Sequence, residues 1–148
     1  MSIPQRFSLV TVGVADVIAA TAFYRAIGWE PHPSSVEGEI SFFATPGGIF
    51  AIWSTPELAA DAGTTTMHAN APAFRAVALA INLASRDEVD DAVVEWMAAG
   101  GAVAKVPAET EWGGYSGYVA DPDGNLWELA HNPFWPLDER GLPVLRGE

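Results

Sequence analysis

Few side chains of this sequence could take part in catalysis or metal binding, and Glu128 stands out among them because of the residues around it. Glu128 lies in the predicted strand Asn125–Ala130, directly after the turn sequence Asp121-Pro-Asp-Gly124. A carboxyl group among apolar strand residues is desolvated, and needs a hydrogen-bond donor or a cationic ligand to keep its charge. We therefore take Glu128 as the candidate catalytic residue. The alternative is a structural Glu128, hydrogen-bonded to Thr11, Asn82 or a backbone amide.

Histidine and cysteine, the other common metal ligands and nucleophiles, form no pattern in the sequence. Cysteine is absent, which excludes disulfides and thiolate chemistry. His32 lies in a proline-flanked loop, His68 in a predicted linker, and His131 has the strand parity opposite to that of Glu128. We expect all three to be surface or loop residues, with a contribution of His68 from a mobile lid as the alternative.

Composition restricts the class of protein. The chain has 148 residues, of which 49% are hydrophobic, enough for one compact domain or for two fused modules. Its 7 Lys and Arg against 19 Asp and Glu give a formal charge of −12, which opposes nucleic-acid binding. No apolar run approaches the length of a membrane span, and Met1–Phe7 does not resemble a signal peptide. We expect a cytoplasmic protein that binds neither nucleic acid nor membrane.

The first half of the chain has the order of one strand, one helix and three strands. Residues 7–14 alternate between two faces, as in a half-buried strand. Asp16 can cap the helix that follows, and Gly28 can end it. Three further strands, separated by prolines and glycines, are predicted over Trp29–Ser34, Glu39–Ala44 and Ile49–Ser54.

The second half repeats this order. Residues 77–83 alternate as another strand, and Ser85 and Glu88 have the spacing of a capping box at the start of a helix that ends at Gly100. Three strands are then predicted over Ala102–Val106, Gly114–Ala120 and Asn125–Ala130. Val14 and Leu83 correspond, 69 residues apart. The order by itself is compatible both with a duplication and with two halves that are similar by chance.

These elements predict a domain organisation. Residues 1–148 form a single domain, with a first module over 6–54 and a second module over 73–132. The segment 55–72, rich in Ala, Thr and Gly, is the expected linker. Residues 133–148, with three prolines and two glycines, are expected to form a C-terminal tail on the surface or against a partner.

Two segments resemble a known family. Val10-Thr-Val-Gly-Val-Ala-Asp-Val17, with the later Phe23-Tyr24 and Gly28-Trp29, is similar to the opening of vicinal oxygen chelate proteins, the glyoxalase/bleomycin-resistance/dioxygenase type. In that family a strand ends at an Asp before a helix that carries Phe-Tyr. Gly113–Pro133 resembles the family's closing hairpin, an Asp-Pro-Asp-Gly turn followed by a strand that ends in Glu-Leu. The resemblance covers about residues 7 to 133.

This resemblance implies an α+β fold in which two tandem βαβββ modules form a curved mixed sheet around a cavity. In the family, inward-facing His and Glu from the first and last strands of the modules hold a divalent metal. Its open coordination positions bind two neighbouring oxygens of a substrate. The implied metal positions in this chain are Leu9, Ala51, Ala78 and Glu128.

Three of these four positions hold side chains that cannot coordinate a metal. One carboxylate is not sufficient, because catalytic sites normally use three protein ligands. A register error of one residue does not supply the missing ligands, since the neighbours Val10, Phe50, Ile52, Val77 and Leu79 cannot coordinate a metal either. We therefore expect no metal and no cofactor.

Strand parity predicts a cavity that is mostly apolar, with a hydroxyl, an amide and a carboxylate, as in many small-molecule sites. Trp112 is included because indole rings stack on planar or cationic ligands. Whether Tyr115 or Tyr118 faces the ligand depends on the register of the closing turn. The candidate ligand-binding residues are Phe7, Leu9, Thr11, Trp53, Ala78, Asn82, Trp112, Tyr115 and Glu128.

Three functions follow as hypotheses. The favoured one is a homodimeric, metal-free binder of a small organic molecule, similar to the bleomycin-resistance branch of the family. The second is an enzyme, a lyase, isomerase or dioxygenase acting on a small oxygenated substrate, with Glu128 as metal ligand or general base. The third is a structural or regulatory module whose cavity is filled by side chains.

Overall fold

The computed structural model describes residues 3, 5–64 and 75–145, and these fall into two compact units divided after Asn70. We call them unit 1 and unit 2. Each consists of a mixed sheet with helices, so the expected α+β class is confirmed, and both units begin with a strand, a helix and further strands. Within the described ranges, no helix is long and apolar enough to span a membrane. His68 lies outside the described residues.

Unit 1 is a three-stranded sheet with the strand order β1-β3-β2, in which β1 is parallel and β2 antiparallel to β3. Helix α1 begins after the cap residue Asp16, whose carboxylate accepts the backbone N–H of Ala19 at 3.1 Å. The elements are β1 (Leu9–Val14), α1 (Val17–Ala26), β2 (Ile40–Thr45), β3 (Gly48–Ser54) and α2 (Thr55–Asp61).

The core of unit 1 lies between α1 and one face of the sheet. Tyr24 of α1 is fully buried, and its ring centroid lies 5.7 Å from that of Phe43 and 5.1 Å from that of Phe50. Trp29 lies 5.8 Å from the same two phenylalanines. Thr21 and Ser41 share a buried hydrogen bond of 2.7 Å between their hydroxyl groups. The helix therefore packs on the face that carries the even-numbered residues of β3.

The strand predicted over 29–34 is wrong, since these residues form no strand. Pro31 and Pro33 have no backbone N–H, so the segment cannot donate a continuous ladder of hydrogen bonds. Its backbone contact with β2 is the bond from the N–H of His32 to the carbonyl oxygen of Phe42, 2.7 Å long. The sheet of unit 1 consequently has one strand fewer than that of unit 2.

Helix α2 occupies the beginning of the segment that the sequence predicted as linker. Ser54 caps it by accepting the N–H of Glu57 at 3.3 Å, and Pro56 lies in its first turn, where a missing N–H costs nothing. The composition of 55–72 did not indicate this helix, because alanine is common both in linkers and in helices.

Unit 2 is a four-stranded sheet with the order β4-β7-β6-β5, in which β4 is parallel to β7 and the other pairs are antiparallel. Helix α3 packs on one face through Trp96, whose ring centroid lies 6.1 Å from that of Trp127. The elements are β4 (Ala78–Asn82), α3 (Arg86–Ala98), β5 (Ala102–Glu109), β6 (Tyr115–Ala120) and β7 (Leu126–His131).

The start of α3 and the turn before β7 form as the sequence predicts. Ser85 caps α3 by accepting the N–H of Glu88 at 3.1 Å, while the Glu88 carboxylate accepts the N–H of Ala84 at 2.8 Å. In the turn, Asp121 accepts the backbone N–H groups of Asp123 and Asn125. Because these bonds fix the turn, they also fix the register between β6 and β7.

The C-terminal segment folds back on itself after β7. Leu137 and Pro143 form an isolated bridge, and Asp138 accepts the N–H groups of Arg140 and Leu142 at 2.8 and 3.0 Å. Phe134, before this turn, remains 52% exposed.

Candidate functional site

Each sheet has two faces of different character. We call the face turned away from α1 in unit 1, and from α3 in unit 2, the open face of that unit. In unit 2 the faces are identified by Trp127, which contacts α3, and by its neighbour Glu128, which therefore points to the open face. The candidate catalytic residue thus lies on the sheet surface opposite to α3.

A row of three paired residues crosses the open face of unit 2. Glu128 of β7 lies between Ala80 of the parallel strand β4 and Tyr118 of the antiparallel strand β6. Paired residues of neighbouring strands project their side chains to the same face, with Cβ atoms about 5 Å apart. The carboxylate therefore has a phenol on one side and only a methyl group on the other.

Tyr118 is the polar neighbour of Glu128 on this face, paired with it across β6 and β7. The charge of Glu128 and the partial burial of the phenol raise the pKa of Tyr118 above its ordinary 10.0. The polar side chain beside Glu128 is thus a phenol, whereas the sequence suggested Thr11, Asn82 or a backbone amide.

Polar and aromatic groups continue this open face toward one end of the sheet. Asn82, Ala130 and Ser116 form the next paired row on the same face. Beyond it, a Cβ on Gly114 would lie 1.9 Å from the ring of Trp112, so the indole occupies the space of a Gly114 side chain. Gly114 continues the alternation of Ser116 and Tyr118, which places the Trp112 ring, 48% exposed, over the open face.

Tyr115 lies on the other face of unit 2. Its hydroxyl donates to Asp90 of α3 at 2.6 Å, and the guanidinium of Arg86 lies 5.4 Å from its ring centroid. Hydrogen bonding to Asp90, followed by burial and the Asp90 charge, raises the pKa of this phenol as well. Sequence alternation from Glu128 across the closing turn could have identified Tyr118 as the tyrosine of the open face, but only with the turn register known.

The remaining candidates lie in unit 1. Leu9 and Thr11 of β1 pair with Ile49 and Ala51 of β3, on the face opposite to Phe50 and α1. Leu9 is 45% exposed, and Phe7, which precedes the strand, is 68% exposed.

Trp53 continues that face toward α2. Its indole N–H donates to Glu57 of α2 at 2.9 Å. Phe7, Leu9, Thr11 and Trp53 are therefore brought to one sheet surface, and Ala78, Asn82, Trp112 and Glu128 to another. Tyr115 belongs to neither.

The register of the two sheets supports the equivalence of Ala51 and Glu128. In unit 1 the row Thr11–Ala51–Phe42 crosses the sheet as Ala80–Glu128–Tyr118 does in unit 2. Thr11 and Ala80 are 69 residues apart, the same offset that relates Leu9 to Ala78. The four positions implied for a metal thus hold two alanines, a leucine and one carboxylate that is paired across the sheet with a phenol.

These residues do not fit a divalent metal. Among residues 3, 5–64 and 75–145, no three His, Asp or Glu side chains are grouped as ligands. His32 shares a hydrogen bond with Ser34, and His131, on the face of α3, lies 3.1 Å from the carbonyl oxygen of Leu83. We therefore derive no chemical step through a metal.

Comparison with known proteins gives the context of this site. The sequence profile described as "Glyoxalase/Bleomycin resistance protein/Dioxygenase superfamily" matches residues 6–129. A glyoxalase-related enzyme from Fulvimarina pelagi is similar in structure, with 34% identity, a TM-score of 0.84 and coverage of 96% of this chain and 99% of its own. No curated protein matches the chain.

More distant structures agree. A glyoxalase/bleomycin resistance protein/dioxygenase from Nocardioides is 27% identical, with a TM-score of 0.72 over 99% of this chain and 92% of its own. A lactoylglutathione lyase from Agrobacterium tumefaciens shares the fold at 22% identity, with a TM-score of 0.65 over 92% of this chain and 100% of its own. With the profile match over most of the chain and the likeness to the Fulvimarina enzyme, the chain belongs to the Glyoxalase/Bleomycin resistance protein/Dioxygenase superfamily.

Proposed function

We propose that this protein is a metal-free binder of a small organic molecule, which lies against the open face of unit 2 with Glu128 as its polar anchor. The observation that carries the proposal is the Glu128–Tyr118 pair, flanked on the open face of unit 2 by the apolar residues Ala78, Ala80 and Leu126. Apolar walls with a few oriented polar groups are typical of small-molecule sites.

Three features support binding at this face. Ala78 and Ala80 are exposed, so β4 leaves space beside the Glu128 side chain. Trp112 adds an aromatic surface at the end of the same face. The bonds from Arg75 to Asn125 and to the carbonyl oxygen of Asp123, 3.0 and 2.8 Å long, hold the turn from which β7 begins. The anchor residue is therefore carried by a strand with a fixed starting point.

Thermal-shift screening of the purified protein against a library of small organic compounds tests this proposal. A compound present at 100 times its Kd adds about 2.7 kcal/mol to the free energy of unfolding, and this produces a measurable rise in Tm. Elemental analysis of protein purified without chelator accompanies the screen. Stoichiometric iron, manganese, nickel or zinc would contradict the metal-free part of the proposal.

A pair of substitutions locates the binding. Ala80→Trp places an indole next to Glu128 on the open face and is expected to abolish the ligand-induced rise in Tm. Val94→Trp, at a 67% exposed position on α3, is the matched control and is expected to preserve it. A shift that survives Ala80→Trp would show that the ligand binds elsewhere.

An acid–base enzyme is the second candidate, and the pairing of Tyr118 with Glu128 on the open face of unit 2 favours it specifically. A carboxylate can accept a proton from an acidic C–H, and an adjacent phenol can donate a hydrogen bond to the oxygen that gains charge. Turnover of a library compound that is lost in Glu128→Gln would establish this function. The cytoplasmic location and the homodimer remain parts of the proposal, and light scattering after size-exclusion chromatography tests the dimer.

A further inference from the structure

We propose that Arg86 and Asp90 of α3 position the turn between β5 and β6, and with it the ring of Trp112 on the open face of unit 2. The inference deepens the proposed function, on which it rests for the use of that ring, by naming positioning residues on the opposite face of the same sheet. We call Arg86 and Asp90, together with Glu109 and Tyr115, the α3 clamp.

The α3 clamp holds both strand ends that flank the turn. Glu109 is the last residue of β5, Tyr115 is the first residue of β6, and the two are paired across the strands. The guanidinium of Arg86 lies 2.7 Å from the Glu109 carboxylate, and the Tyr115 hydroxyl donates to Asp90 at 2.6 Å. The same guanidinium lies 5.4 Å from the Tyr115 ring centroid, where a cation is attracted to the ring. Each side of the hairpin is therefore tied to α3 by a contact of its own.

The spacing of the two α3 residues matches the spacing of the strand pair. Arg86 and Asp90 are four residues apart, so their Cβ atoms lie about 5–6 Å apart on one side of the helix. The Cβ atoms of a directly paired couple on antiparallel strands are about 5 Å apart. Since the cap at Ser85 also fixes the start of α3, the first turns of this helix are a support to which both strand ends can be attached at once.

The turn between the two strand ends is closed by its own hydrogen bonds. The N–H of Thr110 donates to the carbonyl oxygen of Gly114 at 3.0 Å, and the N–H of Gly113 donates to that of Thr110 at 3.1 Å. The Thr110 hydroxyl accepts the N–H of Gly114 at 2.9 Å, and the Trp112 ring occupies the side-chain space of Gly114. Because these contacts make the turn one unit, Trp112 takes its position from the strand ends that the α3 clamp holds.

The exposure of the α3 clamp favours a positioning role over a role in stability. The side chains of Arg86 and Glu109 are 48% and 75% exposed, and ion pairs in contact with water add little to the free energy of unfolding. The packing of α3 on the sheet is made by other side chains, the buried Val89, Val93 and Trp96. Removing a clamp contact should therefore release the turn and leave the core of unit 2 in place.

Fluorine nuclear magnetic resonance of protein labelled with 5-fluorotryptophan tests this inference. The six tryptophans give six signals, and Trp112→Phe identifies the one of Trp112. In Asp90→Ala and in Arg86→Ala, this signal is expected to move at least halfway toward its position in the urea-unfolded protein, because the turn opens locally. The signals of Trp96 and Trp127 should stay in place. A smaller movement of the Trp112 signal would overturn the inference, and so would an equal movement of the other two, which indicates a general loosening of unit 2.

Further variants assign the effect to the contact between Asp90 and Tyr115. Tyr115→Phe removes the hydroxyl and keeps the ring, and it should move the Trp112 signal as Asp90→Ala does, with no additional movement in the double variant. Asp90→Asn keeps an oxygen that can accept the hydroxyl, so its signal should stay near that of the unaltered protein. Asp91→Ala removes the same charge from the adjacent exposed position of α3 and is the matched control. A movement in Asp91→Ala equal to that in Asp90→Ala would attribute the effect to helix charge and contradict the clamp.

The two proposals fail in different ways, because the resonance experiment needs no ligand. If no compound raises the Tm in the library screen, the proposed binding function is wrong, and the Trp112 signal still decides whether the α3 clamp positions the turn. If compounds bind and are blocked by Ala80→Trp, while the Trp112 signal does not move in Asp90→Ala, the binding function stands and the clamp is wrong.

Discussion

The two units place their side chains on equivalent rows of equivalent strands, and they differ in what those rows carry. In unit 1 the central row of the open face is Thr11–Ala51–Phe42, and none of β1, β2 or β3 contains a titratable residue. In unit 2 the same row is Ala80–Glu128–Tyr118. The fold thus supplies two equivalent surfaces, and the residue types in their central rows place a carboxylate in that of unit 2 and an alanine in that of unit 1.

The faces that pack on the helices also differ, and here unit 1 carries more aromatic side chains than unit 2. Unit 1 fills this space with an aromatic cluster, Tyr24, Trp29, Phe43 and Phe50, around α1. Unit 2 uses Trp96 and Trp127 together with smaller residues such as Val119. We infer that unit 1 depends more on aromatic packing, because its sheet is one strand narrower.

Truncating equivalent core residues should give the largest difference between the units. Phe43→Ala in unit 1 is expected to lower the free energy of unfolding by about 3–5 kcal/mol, because it removes a buried ring and leaves a cavity. Val119→Ala, at the equivalent position in unit 2, should cost about 2 kcal/mol for the carbons it removes. Urea-induced unfolding followed by tryptophan fluorescence measures both, and equal losses would refute the difference. Val94→Ala, exposed on α3, is the control, within about 0.5 kcal/mol of the unaltered protein.

Strand β5, at the edge of the sheet of unit 2, makes Gly117 sensitive to substitution. A Cβ on Gly117 would lie 2.8 Å from the carbonyl oxygen of Lys105 and from the backbone nitrogen of Pro107. The equivalent residue in unit 1 is Ser41 of β2, and among residues 3 and 5–64 no strand lies outside β2 to crowd its side chain. Gly117→Ser should therefore destabilise the protein by about 1–3 kcal/mol through overpacking.

Chemical denaturation also measures this effect. Ala104→Ser, an exposed position of β5, is its control and should have little effect. A Gly117→Ser protein as stable as the control would show that β5 can move away from β6.

The smallest expected effect is the response of the open face of unit 2 to alkaline pH. The charge of Glu128 and burial raise the pKa of Tyr118 in the folded protein, so the neutral phenol contributes its full stability below the unfolded pKa of about 10. The free energy of unfolding should fall as the pH rises from there through the folded pKa. Glu128→Gln should lower the pKa of Tyr118 toward about 10 and remove the part of this dependence that Tyr118 contributes.

The absorbance of tyrosinate during an alkaline titration measures the pKa directly. A Tyr115→Phe background leaves Tyr24 and Tyr118 as the only tyrosines. An identical titration with and without the Glu128 charge would contradict the contact between the two side chains.

Local patterns predicted much of the fold, because they depend on neighbours in sequence. The caps at Asp16 and Ser85 and the turn at Asp121 form as expected, since each uses a side-chain oxygen within a few residues of the N–H that it accepts. Strand alternation also placed Leu9 and Thr11 on the face opposite to Val10. The strand predicted over 29–34 is wrong because the alternation pattern takes no account of the backbone N–H donors that Pro31 and Pro33 lack.

The sequence by itself determined the family and the α+β class, because residue types at fixed spacings carry that information. The loss of the metal ligands at Leu9, Ala51 and Ala78 stays a prediction from the family resemblance. The sequence left open which tyrosine lies beside Glu128, since strand parity across a turn is decided by the pairing of two strands. Only the tertiary structure placed Tyr118 on the open face and Tyr115 against α3. A shift of one residue in that pairing would exchange the two faces, so the chemistry of Glu128 depends on the register.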